Sequence, residues 1–196
     1  MPTKPLSELE DLVGESRHTV EGLRVEAGKV EEFARAVNDE DPIHREAAAA
    51  DDRGFDAVLA PLTFTRTAYF PRYRPDGIDE NLGFDLGLRK EYLVHGEQEY
   101  EFERPAEVGD VLDGTTTLTD VYQREGSRGG TMTFAVYETE FRDRDGELVC
   151  TTRLTRIETG GAIEDGGRDG ASDDGGGEGT SGETSADGEG STGADG

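Results

Sequence analysis

The apolar residues at positions 30, 33, 34 and 37 recur with the i, i+3, i+4, i+7 spacing of one helical face, so Val30–Val37 is predicted to be an amphipathic helix. Ser7–Val13 carries Leu9, Leu12 and Val13 on one side and stops at Gly14, which reads as a shorter helix. Between the two, His18–Glu26 spaces Val20, Leu23 and Val25 as a strand would and ends in Ala27-Gly28. Ile43–Ala50 reads as a second short helix. Pro61 suits a first helical position, and Leu62, Phe64, Ala68, Tyr69 and Phe70 follow it with few charges, so Pro61–Phe70 is predicted to be a buried helix stopped by Pro71. A polar loop follows, from Arg72 to Gly83. The period then changes to two. Leu88–Arg104, Val111–Tyr122, Thr131–Arg142 and Glu147–Ile157 are each long enough for a strand, with hairpin turns over 125–130 and 143–146. Residues 85–158 should thus form an antiparallel meander, with the N-terminal strand added at an edge. One buried helix against one curled antiparallel sheet is an α+β two-layer domain.

One turn in this pattern carries candidate chemistry. The helical register ends at Val37, and Asp41-Pro42 opens the next element: Asp41 suits an N-cap and Pro42 the first helical position. The bend brings Asp39 and His44, five residues apart, towards one small volume. A carboxylate and a neutral imidazole there can hold and polarise a single water, as general acid–base chemistry requires. The alternative is a solvated acidic turn with His44 exposed on the next helix, an ordinary outcome in a chain this rich in acids.

Composition narrows the function classes. The chain has 196 residues and a formal net charge of −25. From about Gly160 onward the apolar residues vanish. Residues 161–196 hold ten acids, one base (Arg168) and thirteen of the 28 glycines, and carry −9 of the −25. Such a segment cannot bury enough apolar surface to offset its ordering entropy. The organisation expected is one domain over 1–159 and a disordered acidic tail over 160–196. Truncation after Gly160 should leave the circular dichroism and the melting temperature unchanged and lower only solubility; loss of the melting transition would show an ordered segment there. With no basic stripe to meet a phosphate backbone, nucleic acid is excluded as a partner. Three lysines against seventeen arginines, in so acidic a chain, resemble the composition of proteins from extreme halophiles.

The single cysteine, Cys150, lies in a strand-like run and reads as core packing. Three scattered histidines and one cysteine lack metal-ligand spacing, and no glycine-rich phosphate loop follows a strand, so neither metal nor cofactor is expected. No run approaches about 20 consecutive apolar residues, and the first residues show no apolar signal region. The expectation is a cytoplasmic protein with no membrane span.

Three stretches in order resemble the hot-dog fold of the MaoC-like dehydratases, over roughly residues 5–158. Asp39-Glu-Asp-Pro-Ile-His44 is similar to the (R)-hydratase signature Asp-x-Asn-Pro-(Ile/Leu)-His, with Asp41 where Asn is usual. Gly54-Phe-Asp-Ala-Val-Leu-Ala-Pro-Leu-Thr-Phe64 resembles the entry into the central helix. His95-Gly-Glu-Gln-Glu-Tyr-Glu-Phe-Glu-Arg-Pro-Ala-Glu-Val-Gly-Asp-Val-Leu112 is very like the strand, turn and strand of the N-terminal, fatty-acid-synthase-type dehydratase domain. The resemblance implies a curled sheet wrapped around a central helix and reversible hydration of a trans-2-enoyl-CoA to the (R)-3-hydroxyacyl-CoA. The open edge of such a sheet invites pairing, so a dimer joined edge to edge is expected, with the Asp39/His44 pocket near the interface. It implies Asp39 and His44 as the pair that holds the reacting water, with the acid and base roles open. It also makes His95 a candidate substrate-binding residue, although a strand-edge histidine is more often structural.

One departure stands against this. Single-domain hydratases of the group carry His-Gly where this chain has Ala60-Pro61, and proline has no N–H with which to polarise a thioester carbonyl. The N–H groups of Leu62 and Thr63 are the candidates to replace it. The alternative is a non-catalytic subunit that binds substrate beside another MaoC-like chain. An acyl-CoA thioesterase is a weaker reading, since 61–70 holds no Asp or Glu. The partners implied are an acyl-CoA or acyl-carrier-protein thioester and a second hot-dog chain, in a homodimer or a heterodimer.

Overall fold

A computed structural model describes residues 1–78, 82–126 and 130–160, all within one compact unit, Met1–Ile163. The tail over 161–196 and the tip of the 125–130 hairpin lie outside the described residues. The helices are α1 (Leu6–Glu10), α2 (Ala27–Ala36) and α3 (Ala47–Asp51). The strands are β1 (Ser16–Arg24), β2 (Leu93–Phe102), β3 (Val111–Glu125), β4 (Thr131–Arg142) and β5 (Leu148–Glu158). All strand pairs are antiparallel, in the order β1-β3-β4-β5-β2. Register shifts in β1, in the β3–β4 pair and in β2 mark bulges, which increase local twist and curl the sheet.

Two expectations are corrected here. The meander holds only for β3-β4-β5, because β2 pairs with β5 on the far side instead of with β3. The segment between β2 and β3 explains this. It contains Pro105 and pairs with another stretch: Ala60 N donates to Ala106 O (2.8 Å), Val108 N donates to Val58 O (2.8 Å), and Leu59 bridges Glu107. That eight-residue path leads β2 away from β3. Arg104 fastens it, donating to both oxygens of Asp110 at 2.7 and 3.0 Å and to Asp143 at 2.9 Å.

The second correction concerns Pro61–Phe70, which is not an α-helix. A 3₁₀ helix covers Phe64–Tyr69 and another Pro71–Tyr73. Threonines at 63, 65 and 67 disfavour the α-helix, being stiff at χ1 and able to compete for backbone carbonyls. Thr67 Oγ1 indeed donates to Phe64 O at 2.9 Å. The segment is still buried, through Phe64, Thr65, Thr67 and Ala68. Similarly, Ile43–Ala50 divides into a 3₁₀ turn, Pro42–His44, and α3.

The ten-residue α2 is the longest helix among the described residues. Its stripe buries Val30 and Ala34, and Phe33 meets Phe64 edge-on with ring centroids 5.6 Å apart. Each fully buried Val or Phe contributes about 1.5–3 kcal/mol. This cluster continues to Leu23, Leu112, Val149 and Cys150 on the sheet. A smaller cluster of Ile43, Ala50 and Leu59 sits beneath the turn that carries His44.

Candidate active site

The end of α2 places Asp39. Asn38 adopts a left-handed conformation (φ 57), which asparagine tolerates better than most residues. Its N–H donates to Arg35 O (3.2 Å), and Asp39 N donates to Ala34 O (2.8 Å). These are the two bonds of a Schellman motif, and they turn the chain sharply after Val37. Asp39 then orients its own carboxylate, with Oδ1 accepting from Asp41 N at 3.1 Å. Asp41 caps the next turn: its Oδ1 accepts from Ile43 N (3.1 Å), and Pro42 follows at the first position. The other oxygen of Asp41 takes Arg53 Nη1 at 2.7 Å, and that guanidinium holds the Asp41 carboxyl below its ordinary pKa. The extra acid at this position is thus engaged by a cation of its own.

His44 is buried, at 9% exposure, so the reading of an exposed imidazole on a solvated turn is set aside. Its Nδ1 lies 2.8 Å from Leu59 O, and its Nε2 lies 3.1 Å from Asp39 Oδ2. A carbonyl oxygen can only accept, so Nδ1 carries a proton. A bare Nε2 would then direct its lone pair at a carboxylate oxygen, which is repulsive. The contact is favourable when one proton lies between Nε2 and Oδ2. The geometry thus suits a proton shared between the two side chains. Asp39 keeps it in touch with solvent, being 39% exposed on its side chain, and lines an open cleft of about 340 Å³ with Arg35, Asn38, Glu40 and Arg45.

The neighbouring backbone supplies donors. Ala60 N is used by Ala106 O, Pro61 has none, and Phe64 N returns to Pro61 O at 2.8 Å. The N–H groups of Leu62 and Thr63 donate to no group among the described residues, and both residues are exposed, Leu62 at 65%. They follow within four residues of the carbonyl that holds His44. The helix behind them is a short 3₁₀ turn, so its dipole adds little and the N–H groups themselves are what this loop offers.

His95 stands apart from the pair. It is an exposed residue on β2 opposite Arg156, and partial burial together with the charges of Arg66 and Arg156 holds its pKa below the ordinary value. The hydrogen bonds and ion pairs of Asp39 and His44 do not include it. Cys150 is buried in the core, which pushes its thiol up to about 12 and leaves it a packing residue. Among the described residues, no group of three His, Cys, Asp or Glu side chains could hold a metal ion, and no helix is long and apolar enough to cross a membrane. Sequence reasoning missed Leu59 and Arg53. Leu59 acts through its backbone, which leaves no side-chain signal, and Arg53 is one of many arginines in the chain.

Residues 11–152 match the family described as FAS1-like, dehydratase domain region. The chain belongs to this family. It is similar to a UPF0336 protein of Saccharopolyspora erythraea, 33% identical over 141 residues, which span 72% of this chain and 85% of that protein. Among solved structures it resembles a chain of the C-terminally truncated HadBC (3R-hydroxyacyl-ACP dehydratase) complex from Mycobacterium tuberculosis. The TM-score there is 0.62 at 28% identity, over 75% of this chain and 97% of that one. A MaoC-like dehydratase gives the same TM-score, 0.62, at 32% identity, over 76% of this chain and 43% of that one. The curled five-stranded sheet with few helices is the hot-dog fold of this FAS1-like dehydratase family.

Proposed function

We propose that this chain catalyses the reversible hydration of a trans-2-enoyl thioester to the (R)-3-hydroxyacyl thioester. The observation that carries the reading is the Asp39–His44 contact of 3.1 Å with Nδ1 committed to Leu59 O. Water bound at the pair adds its oxygen to C3. The pair takes the proton released from that water and returns a proton to C2, so the C2=C3 bond is consumed and the site is restored. Negative charge gathers on the thioester oxygen in between, and the N–H groups of Leu62 and Thr63 receive it. The carrier is CoA or an acyl-carrier protein, and a second hot-dog chain completes the assembly. The family and the dehydratase complex to which the chain is similar support this reading.

A second reading rests on Pro61. A chain without an N–H at that point could bind substrate for a partner subunit that supplies its own donors. The experiment that separates them is turnover by the purified chain alone, followed as loss of the crotonyl-CoA absorbance, with its mass measured by light scattering. A homodimer that hydrates crotonyl-CoA unaided is the expected result. An inert chain that becomes active only with a second MaoC-like subunit would overturn it in favour of the binding role.

A further inference from the structure

The sequence of β2 alternates acids at 97, 99 and 101 with Gln98, Tyr100 and Phe102. In an unbroken strand His95 would share a face with Glu97. A bulge between His95 and Glu97 changes this: His95 pairs with Arg156, and Gln98 with Leu154. Arg156 and Leu154 are two apart on β5, so their partners His95 and Gln98 now face the same way, and Glu97 faces the other. Gly96 makes the bulge fit, since a Cβ there would stand 2.7 Å from Ile157 Cδ1 and 3.1 Å from Thr155 O. The acids are thereby sorted to one face, where Glu99 pairs with Arg153 at 2.9 Å.

The opposite face is basic and aromatic. Arg66, on the 3₁₀ helix, reaches over it: Nη1 points to Gln98 Oε1 at 3.4 Å, and the guanidinium lies 4.3 Å from the Tyr69 ring centre. Arg66 makes no ion pair among the described residues, in a chain where acids outnumber lysine and arginine 45 to 20. Directly opposed residues on antiparallel strands hold their Cβ atoms about 4.5–5.5 Å apart, which sets His95 beside Arg156. Partial burial, and then the charges of Arg66 and Arg156, hold the pKa of His95 below its ordinary value, which leaves the imidazole as a hydrogen-bond donor between two guanidinium groups. Phe102 packs on the core below, and Tyr100 stacks on it at 6.1 Å.

We propose that Arg66, His95 and Arg156 form a phosphate-binding subsite that holds the carrier end of the thioester substrate. This rests on the hydratase reading for the identity of the substrate, and the arrangement along β2 supports the assignment. The carbonyl that anchors His44 belongs to Leu59, which bridges Glu107 just beyond Phe102. Phe102 packs against the cluster that holds Ala60, the neighbour of Leu59; measured along β2 from Phe102 at about 3.3 Å per residue, Gln98 lies roughly 13 Å and His95 roughly 23 Å back. The cations therefore stand an arm's length from the reacting end, where a pantetheine chain would bring its phosphate. The aromatic strip between them suits the arm's apolar stretch.

The test measures binding to the full chain by calorimetry, with pantetheine, 4′-phosphopantetheine and CoA as probes, for wild type, Arg66→Gln and His95→Gln. In the wild type, phosphopantetheine is expected to bind about tenfold more tightly than pantetheine, and Arg66→Gln should remove that difference, because charge-assisted bonds to a phosphate are at stake. CoA binding as tightly as phosphopantetheine would identify the arm's own phosphate as the ligand. CoA binding more tightly, with Arg66 required, would assign the nucleotide phosphates to the same subsite. Equal affinity for pantetheine and phosphopantetheine in the wild type, no measurable binding of either phosphate probe, or a difference untouched by both substitutions would overturn the proposal. Kinetics give a second reading: in Arg66→Gln, the kcat/KM ratio of crotonyl-CoA to crotonyl-pantetheine should fall by a similar factor. A wild type that binds phosphopantetheine in this way yet fails to hydrate crotonyl-CoA would retire the hydratase reading and leave the subsite standing.

Discussion

Asp39→Asn is expected to lower kcat for crotonyl-CoA hydration by about 10²–10⁴-fold, with KM little changed and the fold intact. The asparagine keeps an oxygen for Asp41 N and turns an N–H towards Nε2, so the turn survives. What it loses is the capacity to share and release a proton. His44→Ala should fall in the same range. Because the two side chains act as one unit, the double variant should be about as slow as the slower single one. The asparagine variant is the cleaner probe, since Asp39 is part-exposed, whereas removing His44 also empties space over Ile43 and Leu59. Absorbance assays on each variant, with circular dichroism to verify folding, decide the matter. Near-wild-type turnover in Asp39→Asn would sink the assignment.

The second large effect lies at the end of β5. Glu158 has no exposed side-chain surface, yet it carries a charge. Its Oε1 accepts from Arg89 Nε (2.9 Å) and Nη2 (2.7 Å) and lies 2.8 Å from the Met1 amine, while Oε2 accepts from Arg89 N at 3.0 Å. Burial by itself would raise the carboxyl's pKa; the amine and the Arg89 donors outweigh it and hold the group below its ordinary value. Glu158→Gln removes one partner of a desolvated pair and leaves the guanidinium uncompensated, which should destabilise the fold by about 3 kcal/mol. Urea melts at neutral pH would measure this as a shift in midpoint with an unchanged slope. The sign of the pH dependence follows from the depressed pKa. The stabilisation is complete above the unfolded value, about 4.3, and is lost as pH falls through the lower folded value. The gap between wild type and variant should therefore close in acid. A variant as stable as wild type at pH 7 would mean that burial cost and ion pairing cancel at this position.

The strands were legible because the two-residue period is a property of each segment on its own. Thr131–Arg142 coincides with β4, and the 30, 33, 34, 37 stripe lies on α2 with Val37 as its cap. Partnership is a different kind of information. Nothing local in β2 says that it pairs with β5, since that follows from where the 103–110 connection is drawn by residues 58–60. The 3₁₀ form of 64–69 had a signal, in threonines at alternate positions, that the apolar pattern of the segment outweighed. For the site, side-chain chemistry marked Asp39 and His44, and the resemblance supplied the role proposed for the pair. Their closeness depends on the left-handed Asn38 and on a carbonyl at Leu59, which belong to the path of the backbone.

That path gives the hot-dog sheet a mechanical property. The imidazole of His44 hangs from Leu59, Leu59 forms a rung with Glu107, and the chain runs from there through Arg104 into β2, whose outer edge has no strand beside it among the described residues. An open edge is where another chain can add a strand. Edge strand and imidazole are thus two ends of one backbone lever. A chain added at β2 would therefore sit on the same stretch of backbone that sets the imidazole.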